Sequence, residues 1–145
     1  MDWLFLEKAL GKWGFSQKWI SWIMACVSSV KYSVKLNGKL LEAFTPSCVL
    51  RQCDPLSPFQ FLFVADAISH LVNKACLEEG LEEVTTCRRA PTISHLLFVN
   101  DSLLLFGASE QQSSIVKGLL STYALATGQL INPSKCFILF PSNCS

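Results

Sequence analysis

Apolar residues recur at helical spacing over Asp2 to Lys12, where Trp3, Leu4, Leu6 and Leu10 share a side and Gly11 and Gly14 supply a stop. Ser16 is placed to cap a second helix, Gln17 to Ser29, whose Trp19, Ile20, Ile23 and Val27 make one stripe. The period then changes to two. Tyr32, Val34 and Leu36 alternate with Lys31, Ser33 and Lys35, which predicts a half-exposed strand. Asn37-Gly38 predicts a tight hairpin turn, and Leu40 to Phe44 the returning strand.

Thr45 to Asp54 reads as a loop leading to Pro55, a residue suited to the first turn of a helix. The helix from about Pro55 to Leu77 is apolar on nearly every side and is expected to be buried. Glu78 to Glu83 makes an acidic, exposed connection and Cys87 to Pro91 a short basic one. Ile93 to Phe98 and Leu103 to Phe106 predict two buried strands around the polar tip Asn100-Asp101. Glu110 to Ala126 is a further amphipathic helix stopped at Gly128, Asn132-Pro133 a turn, and Lys135 to Phe140 a last short strand. The expected class is α+β: two hairpins and a terminal strand packed on helices, in one domain over residues 1–145.

Composition narrows the function classes. Half of the 145 residues are apolar and 16% are charged, with a net charge of +1. Disorder is excluded by the apolar content, and phosphate binding through bulk positive charge by the lack of basic excess. A free-standing soluble domain usually carries about 25% charged residues, so the chain reads as part of something larger that covers its faces. A spanning helix needs about 20 apolar residues. The longest apolar run, Leu56 to Ile68, is shorter and contains Asp66. Asp2 and Glu7 flank the first aromatics in place of a basic leader, so the expected setting is intracellular, nucleus or cytoplasm, away from membranes. The seven cysteines (26, 48, 53, 76, 87, 136, 144) form no CxxC pair, which points to reduced thiols and away from zinc ligation.

Two polar segments interrupt the apolar pattern. Phe98-Val99-Asn100-Asp101 places a carboxylate between two apolar strands, where it is either a turn residue or a metal ligand. Arg51-Gln52-Cys53-Asp54-Pro55-Leu56-Ser57-Pro58 feeds the long helix, and Asp54 as a cap accounts for Asp-Pro without further chemistry.

Taken together and in order, these segments resemble the palm of reverse transcriptases from non-LTR, LINE-type retroelements, which carry R-Q-G-D-P-L-S-P before a buried helix and F-A-D-D on a hairpin. Thr127-Gly128-Gln129-Leu130-Ile131-Asn132-Pro133-Ser134-Lys135-Cys136 is similar to the S-G-Q-x-I-N-x-x-K-S stretch that follows in that family, and Asp2-Trp3 with Phe5-Leu6 to the run after its first catalytic strand. The resemblance implies a partial polymerase palm lacking the first catalytic strand, fingers and thumb. It implies RNA-directed DNA polymerase ancestry, with an RNA template and a DNA primer as partners. Nucleotidyl transfer in that family uses two Mg²⁺ ions, which a cluster of carboxylates holds. Asp101 then corresponds to a metal-site carboxylate, Arg51, Gln52, Cys53 and Pro55 to the template and nucleotide loop, and Lys135 to an auxiliary charge near pyrophosphate.

The departures bear on activity. Asn100 stands where the family has the first hairpin aspartate, Cys53 where it has a glycine, Val99 for alanine, and Cys48-Val49 for Arg-Gly. An amide brings no charge to a two-cation site, and a side chain at a glycine position crowds substrate or strains a positive dihedral. With the early strand outside these residues, one of three family carboxylates is matched, so an inactive remnant is expected. Several departures correspond to single C-to-T changes on either strand, as in an element decaying without selection. The competing readings are a retained module that binds nucleic acid or protein, and an open reading frame whose product has no molecular function.

Other polar and aromatic residues have plainer readings. His70 and His95 are expected to be structural, and Asp66 to face a polar gap. Trp3, Trp13, Trp19 and Trp22 are expected in the core before base stacking is invoked. Lys31, Lys35 and Lys39 are expected along a solvated strand edge, with nucleic-acid contact as the alternative.

Overall fold

In the computed structural model, helix α1, Trp3–Lys12, begins where Asp2 Oδ1 accepts the amides of Leu4 and Phe5 at 2.7 and 3.1 Å. The structure describes residues 1–48, 50–51, 53–85, 87–98 and 101–140. α1 runs through Gly11 and stops before Gly14, whose φ of +83° only glycine adopts freely. Leu6 and Leu10 are buried, whereas Leu4 points outward, because its position falls off their stripe. Helix α2, Gln17–Ser28, is capped by Ser16 Oγ, which accepts the Trp19 amide at 3.4 Å, and buries Ile20 and Ile23.

These helices belong to one compact unit, Met1–Ala65 with Ala126–Gly128. Its core joins Leu6, Leu10, Ile20 and Ile23 to Val64. Phe15 stacks on Trp19 at 4.3 Å, and Phe63 meets Phe15 edge-on at 5.4 Å. Trp13 and Trp22 are exposed rather than in the core; Trp22 instead carries Lys18 Nζ 5.2 Å above its ring. The same unit holds strands β1, Lys35–Leu36, and β2, Lys39–Leu40, antiparallel with Lys35 opposite Leu40. Asn37 and Gly38, at φ 47° and 83°, form the tight turn that Asn-Gly predicts. Tyr32 bridges Phe44, and their rings stack at 5.9 Å. The strand was expected to cover one face, yet Tyr32, Val34, Leu36 and Leu40 are all exposed, since this hairpin joins neither hydrophobic core.

Helix α3, Ser57–Glu78, follows a turn in which Asp54 Oδ1 accepts the Leu56 amide at 2.8 Å. Its apolar sequence does not make it buried all round. Gln60, Val64, Ile68, Val72 and Ala75 form one buried stripe, while Phe59, Leu62 and Leu77 are exposed.

The second unit comprises Asp66–Leu125 and the described residues from Gln129 on. Ile68, Val72, Ala75, Leu81, Val116, Leu119 and Tyr123 form its core, against which helix α4, Glu110–Thr127, packs. Buried Gln112 ties α4 to the loop after α3: its Nε2 donates to Gly80 O at 2.8 Å and its Oε1 accepts the Glu82 amide at 2.9 Å. Strand β3, Val84–Thr85, pairs antiparallel with β4, Thr92–Ile93. Strands β5, His95–Phe98, and β6, Asp101–Leu104, form a separate antiparallel hairpin. The apolar run expected as one strand over Ile93 to Phe98 is thus divided at Ser94, and β3 arises between the expected acidic and basic connections, where no element was expected. Pro133–Lys135 is a 3-10 turn capped by Asn132. The last strand expected over Lys135 to Phe140 does not form among the described residues; Phe137 to Phe140 lie exposed outside any sheet. The architecture is α+β.

Candidate functional site

Asp101 opens β6 directly opposite Phe98, one residue into the strand rather than in the turn. Cross-strand partners share a face. His95 with Leu104 and Leu97 with Ser102 therefore occupy one side of the hairpin, from which Leu97 and Leu104 pack on the core. Leu96 with Leu103 and Phe98 with Asp101 occupy the other. That outward side is open, with Phe98 78% exposed, so the two strands are not buried as the apolar run suggested. Asp101 stands at the rim of an uncovered apolar face. Val99 and Asn100 lie outside the described residues.

The Arg51 to Pro58 loop belongs to the first unit. Arg51, Cys53 and Pro55 are exposed, and Gln52 lies outside the described residues, as does Val49. Cys53 has φ +62°, the left-handed conformation that glycine adopts freely and a side chain resists. Asp54 accepts the Leu56 amide through its side chain, and its carbonyl accepts the Ser57 amide at 3.2 Å. The polar loop is thus a built turn that launches α3, and it presents Arg51 and the Cys53 thiol to solvent.

Lys135 ends the 3-10 turn in the second unit, exposed, and forms no ion pair with Asp101. Asn132 Oδ1 accepts the Ser134 amide at 3.1 Å, and Cys136 Sγ approaches Asn132 O at 3.2 Å. Gly128, at φ +67°, stops α4 as expected. Of the candidate residues, Arg51, Cys53 and Pro55 are brought together in one turn, and Asp101 and Lys135 stand separately in the other unit.

The donor set does not fit a two-cation centre. Asp101 contributes one carboxylate, its sequence neighbours are an amide and a hydroxyl, and two divalent ions need several anionic oxygens. Among the described residues no group of three or more His, Cys, Asp and Glu side chains could hold a metal ion.

Two arrangements in the second unit went unread in the sequence. Asp66 Oδ2, shielded from solvent, lies 3.0 Å from His70 Nε2 one helical turn on. Cys76 borders an open cavity of about 730 Å³ with Asn73, Leu77, Leu81, Glu83 and Thr92. Burial pushes the Cys76 thiol up, the Glu83 carboxylate pushes it further the same way, and the Ser94 hydroxyl opposes both by hydrogen bonding. No spacing motif signals this group, because its members come from a helix, a loop and a strand break.

No family model matches the chain. It is similar to an uncharacterized mitochondrial protein of Arabidopsis thaliana, 37% identical over 67 residues, or 46% of this chain. That stretch covers 55% of the mitochondrial protein's own length, so the match spans about half of each. Among the described residues no helix is long and apolar enough to cross a membrane.

Proposed function

We propose that this chain is a remnant of a reverse transcriptase palm from a LINE-type retroelement, one that no longer performs RNA-templated DNA synthesis. The observation that carries the reading is the spelling and order of three segments: Arg51 to Pro58, Phe98 to Asp101, and Thr127 to Lys135. Three local features support it. Cys53 holds a left-handed backbone where the family pattern has glycine, as though the loop kept a shape its residue no longer suits. Asp101 sits at the head of an antiparallel hairpin with its side exposed, where a carboxylate could reach solvent-borne ions. Asn132 starts a capped turn that carries Lys135.

Ancestrally, Mg²⁺ held at the hairpin would have supplied Lewis-acid activation of the primer hydroxyl and pyrophosphate. Arg51 and Gln52 would have contacted template or nucleotide, and Lys135 would have offset charge near pyrophosphate. The loss is electrostatic. Asn100 keeps the shape of aspartate but removes one full negative charge beside Asp101, and close divalent cations repel each other without it.

The test is template-primed incorporation. Given an RNA template, a DNA primer, deoxynucleotides and Mg²⁺, the chain is expected to incorporate nothing above background. Synthesis by the unaltered chain that disappears in Asp101→Ala overturns the loss. The origin is checked separately in the genome: nucleotides upstream of Met1 should encode, in some frame, the strand bearing the family's first carboxylate.

A further inference from the structure

We infer that the open cavity bordered by the end of α3, the loop after it and β4 binds a small organic cation with an apolar body, held by the carboxylates of Glu82 and Glu83. All of its wall belongs to the second unit. Asn73, Cys76 and Leu77 line it from α3, where their spacing of three and four residues puts them on one side of the helix. Leu81, Glu82 and Glu83 line it from the loop, and Thr92 from β4. Its volume of about 730 Å³ is that of a small-molecule site, roughly 300–1,000 Å³.

The loop side of the wall is fixed at both ends. Buried Gln112 accepts the Glu82 amide and donates to Gly80 O, and directly after Glu83 the chain enters β3, where Val84 pairs with Ile93. The Glu82 carboxylate also has a seat. A Cβ at Gly107 would lie 2.8 Å from Glu82 Oε2, so the glycine leaves the room that this carboxylate takes. Groups held in this way lose little freedom when a ligand arrives.

Charge selects the ligand. The ion pairs among the described residues join His70 to Asp66 and Lys74 to Glu78, and neither uses Glu82 or Glu83. The lining residues include no basic side chain to offset the two carboxylates. The Glu83 charge is felt at the cavity wall, since after burial it is what pushes the Cys76 thiol up. A bare metal ion lacks ligands here, because no group of three or more His, Cys, Asp and Glu side chains among the described residues could hold one. An ammonium group needs only a carboxylate and neutral acceptors, which the Asn73 amide and the Thr92 hydroxyl supply. Leu77, 86% exposed, and the edge of Leu81 then cover its carbon body.

The experiment titrates the full chain with phenylbutylammonium and follows the amide NMR signals of Cys76, Glu83 and Thr92. Phenylbutanol serves as the neutral probe of the same shape. The ammonium is expected to bind at least about threefold more tightly than the alcohol, the contribution of a partly exposed ion pair. Glu83→Gln should weaken the ammonium at least about threefold and leave the alcohol unchanged. Thr92→Lys, which brings a competing ammonium to the wall, should do the same to the charged probe. Glu7→Gln, an exposed carboxylate of α1 outside the lining, should alter neither. At neutral pH, saturating ammonium should also slow maleimide labelling of Cys76 and leave that of Cys53 unchanged. Equal affinity for ammonium and alcohol overturns the proposal, as does the absence of any saturable shift. So does a preference for the ammonium that survives both Glu83→Gln and Thr92→Lys. Circular dichroism of each variant confirms that the helices persist, and two variants on different elements keep the comparison informative if one misfolds.

Discussion

Phe98 and Asp101 face each other across the end of the β5–β6 hairpin, a large apolar ring and a carboxylate sharing one exposed side. Directly opposed residues in an antiparallel pair have their Cβ atoms about 4.5–5.5 Å apart. The placement separates two demands on the hairpin. Leu97 and Leu104 hold it on the second unit's core, which leaves the other side free to carry chemistry or a partner. The residue before this carboxylate in sequence, Asn100, brings an amide and no charge, and Leu96, Phe98 and Leu103 nearby are exposed among the described residues.

Cys53 holds a left-handed backbone, φ +62°, in the turn before α3. Left-handed backbone costs a non-glycine residue about 1–2 kcal/mol, partly offset by glycine's greater freedom in the unfolded chain. Cys53→Gly is therefore expected to stabilise the protein by about 0.5–1 kcal/mol in urea unfolding, although glycine substitution usually destabilises. A loss of stability would show that the loop is not strained at this residue.

Gly128→Ala is expected to act in the opposite sense. Its φ is +67°, and an added Cβ would lie 3.4 Å from the Asp2 amide nitrogen, which itself donates to Thr127 O at 2.7 Å. The strain and the close approach together should cost about 1–2 kcal/mol, seen as a lower urea midpoint with an unchanged slope.

Leu6 is fully buried in the first unit's core, and Leu6→Ala is expected to cost about 2–5 kcal/mol through lost burial and the cavity left behind. Leu4→Ala, one exposed position along the same helix, should change stability by less than about 0.5 kcal/mol. Equal effects at the two sites would contradict the placement of α1.

The Cys76 thiol is held above its ordinary value of 9.0, first by burial and then by the Glu83 carboxylate. The folded state therefore favours the protonated thiol. This contribution to stability is present below the unfolded thiol's pKa and is lost as pH rises through the folded one. Near pH 8 maleimide labelling of Cys76 should lag that of exposed Cys53 and Cys87, and Glu83→Gln should speed it. Labelling of Cys76 at the same rate as the exposed thiols would contradict the raised value.

Local signals in the sequence were the legible ones. Ser16 caps α2, Asn37-Gly38 turns its hairpin, and Gly128 ends α4, because each of these acts within a few residues. What depended on distant partners was not legible. Phe137 to Phe140 reads as a strand, yet a strand needs a neighbour that the local pattern cannot name. The apolar surplus of α3 was read as burial, but an isolated helix stripe covers only Gln60, Val64, Ile68, Val72 and Ala75. Val84–Thr85 is two residues long, too short for any periodicity. Within the candidate site, a positive dihedral at Cys53 was one of two consequences that the family resemblance implied, whereas the open side around Asp101 was hidden by an apolar run that looked like core.

Placing a second carboxylate at residue 100 tests the palm reading most directly. Affinity for a hard divalent cation rises with the number of carboxylates in a site. Mn²⁺ titration, read by paramagnetic broadening of the amide signals around Asp101, should therefore show Asn100→Asp binding at least about tenfold more tightly than the unaltered chain, with the gain removed by Asp101→Ala. Equal affinity in Asn100→Asp and the unaltered chain would contradict a hairpin that once carried a pair of metal-binding carboxylates.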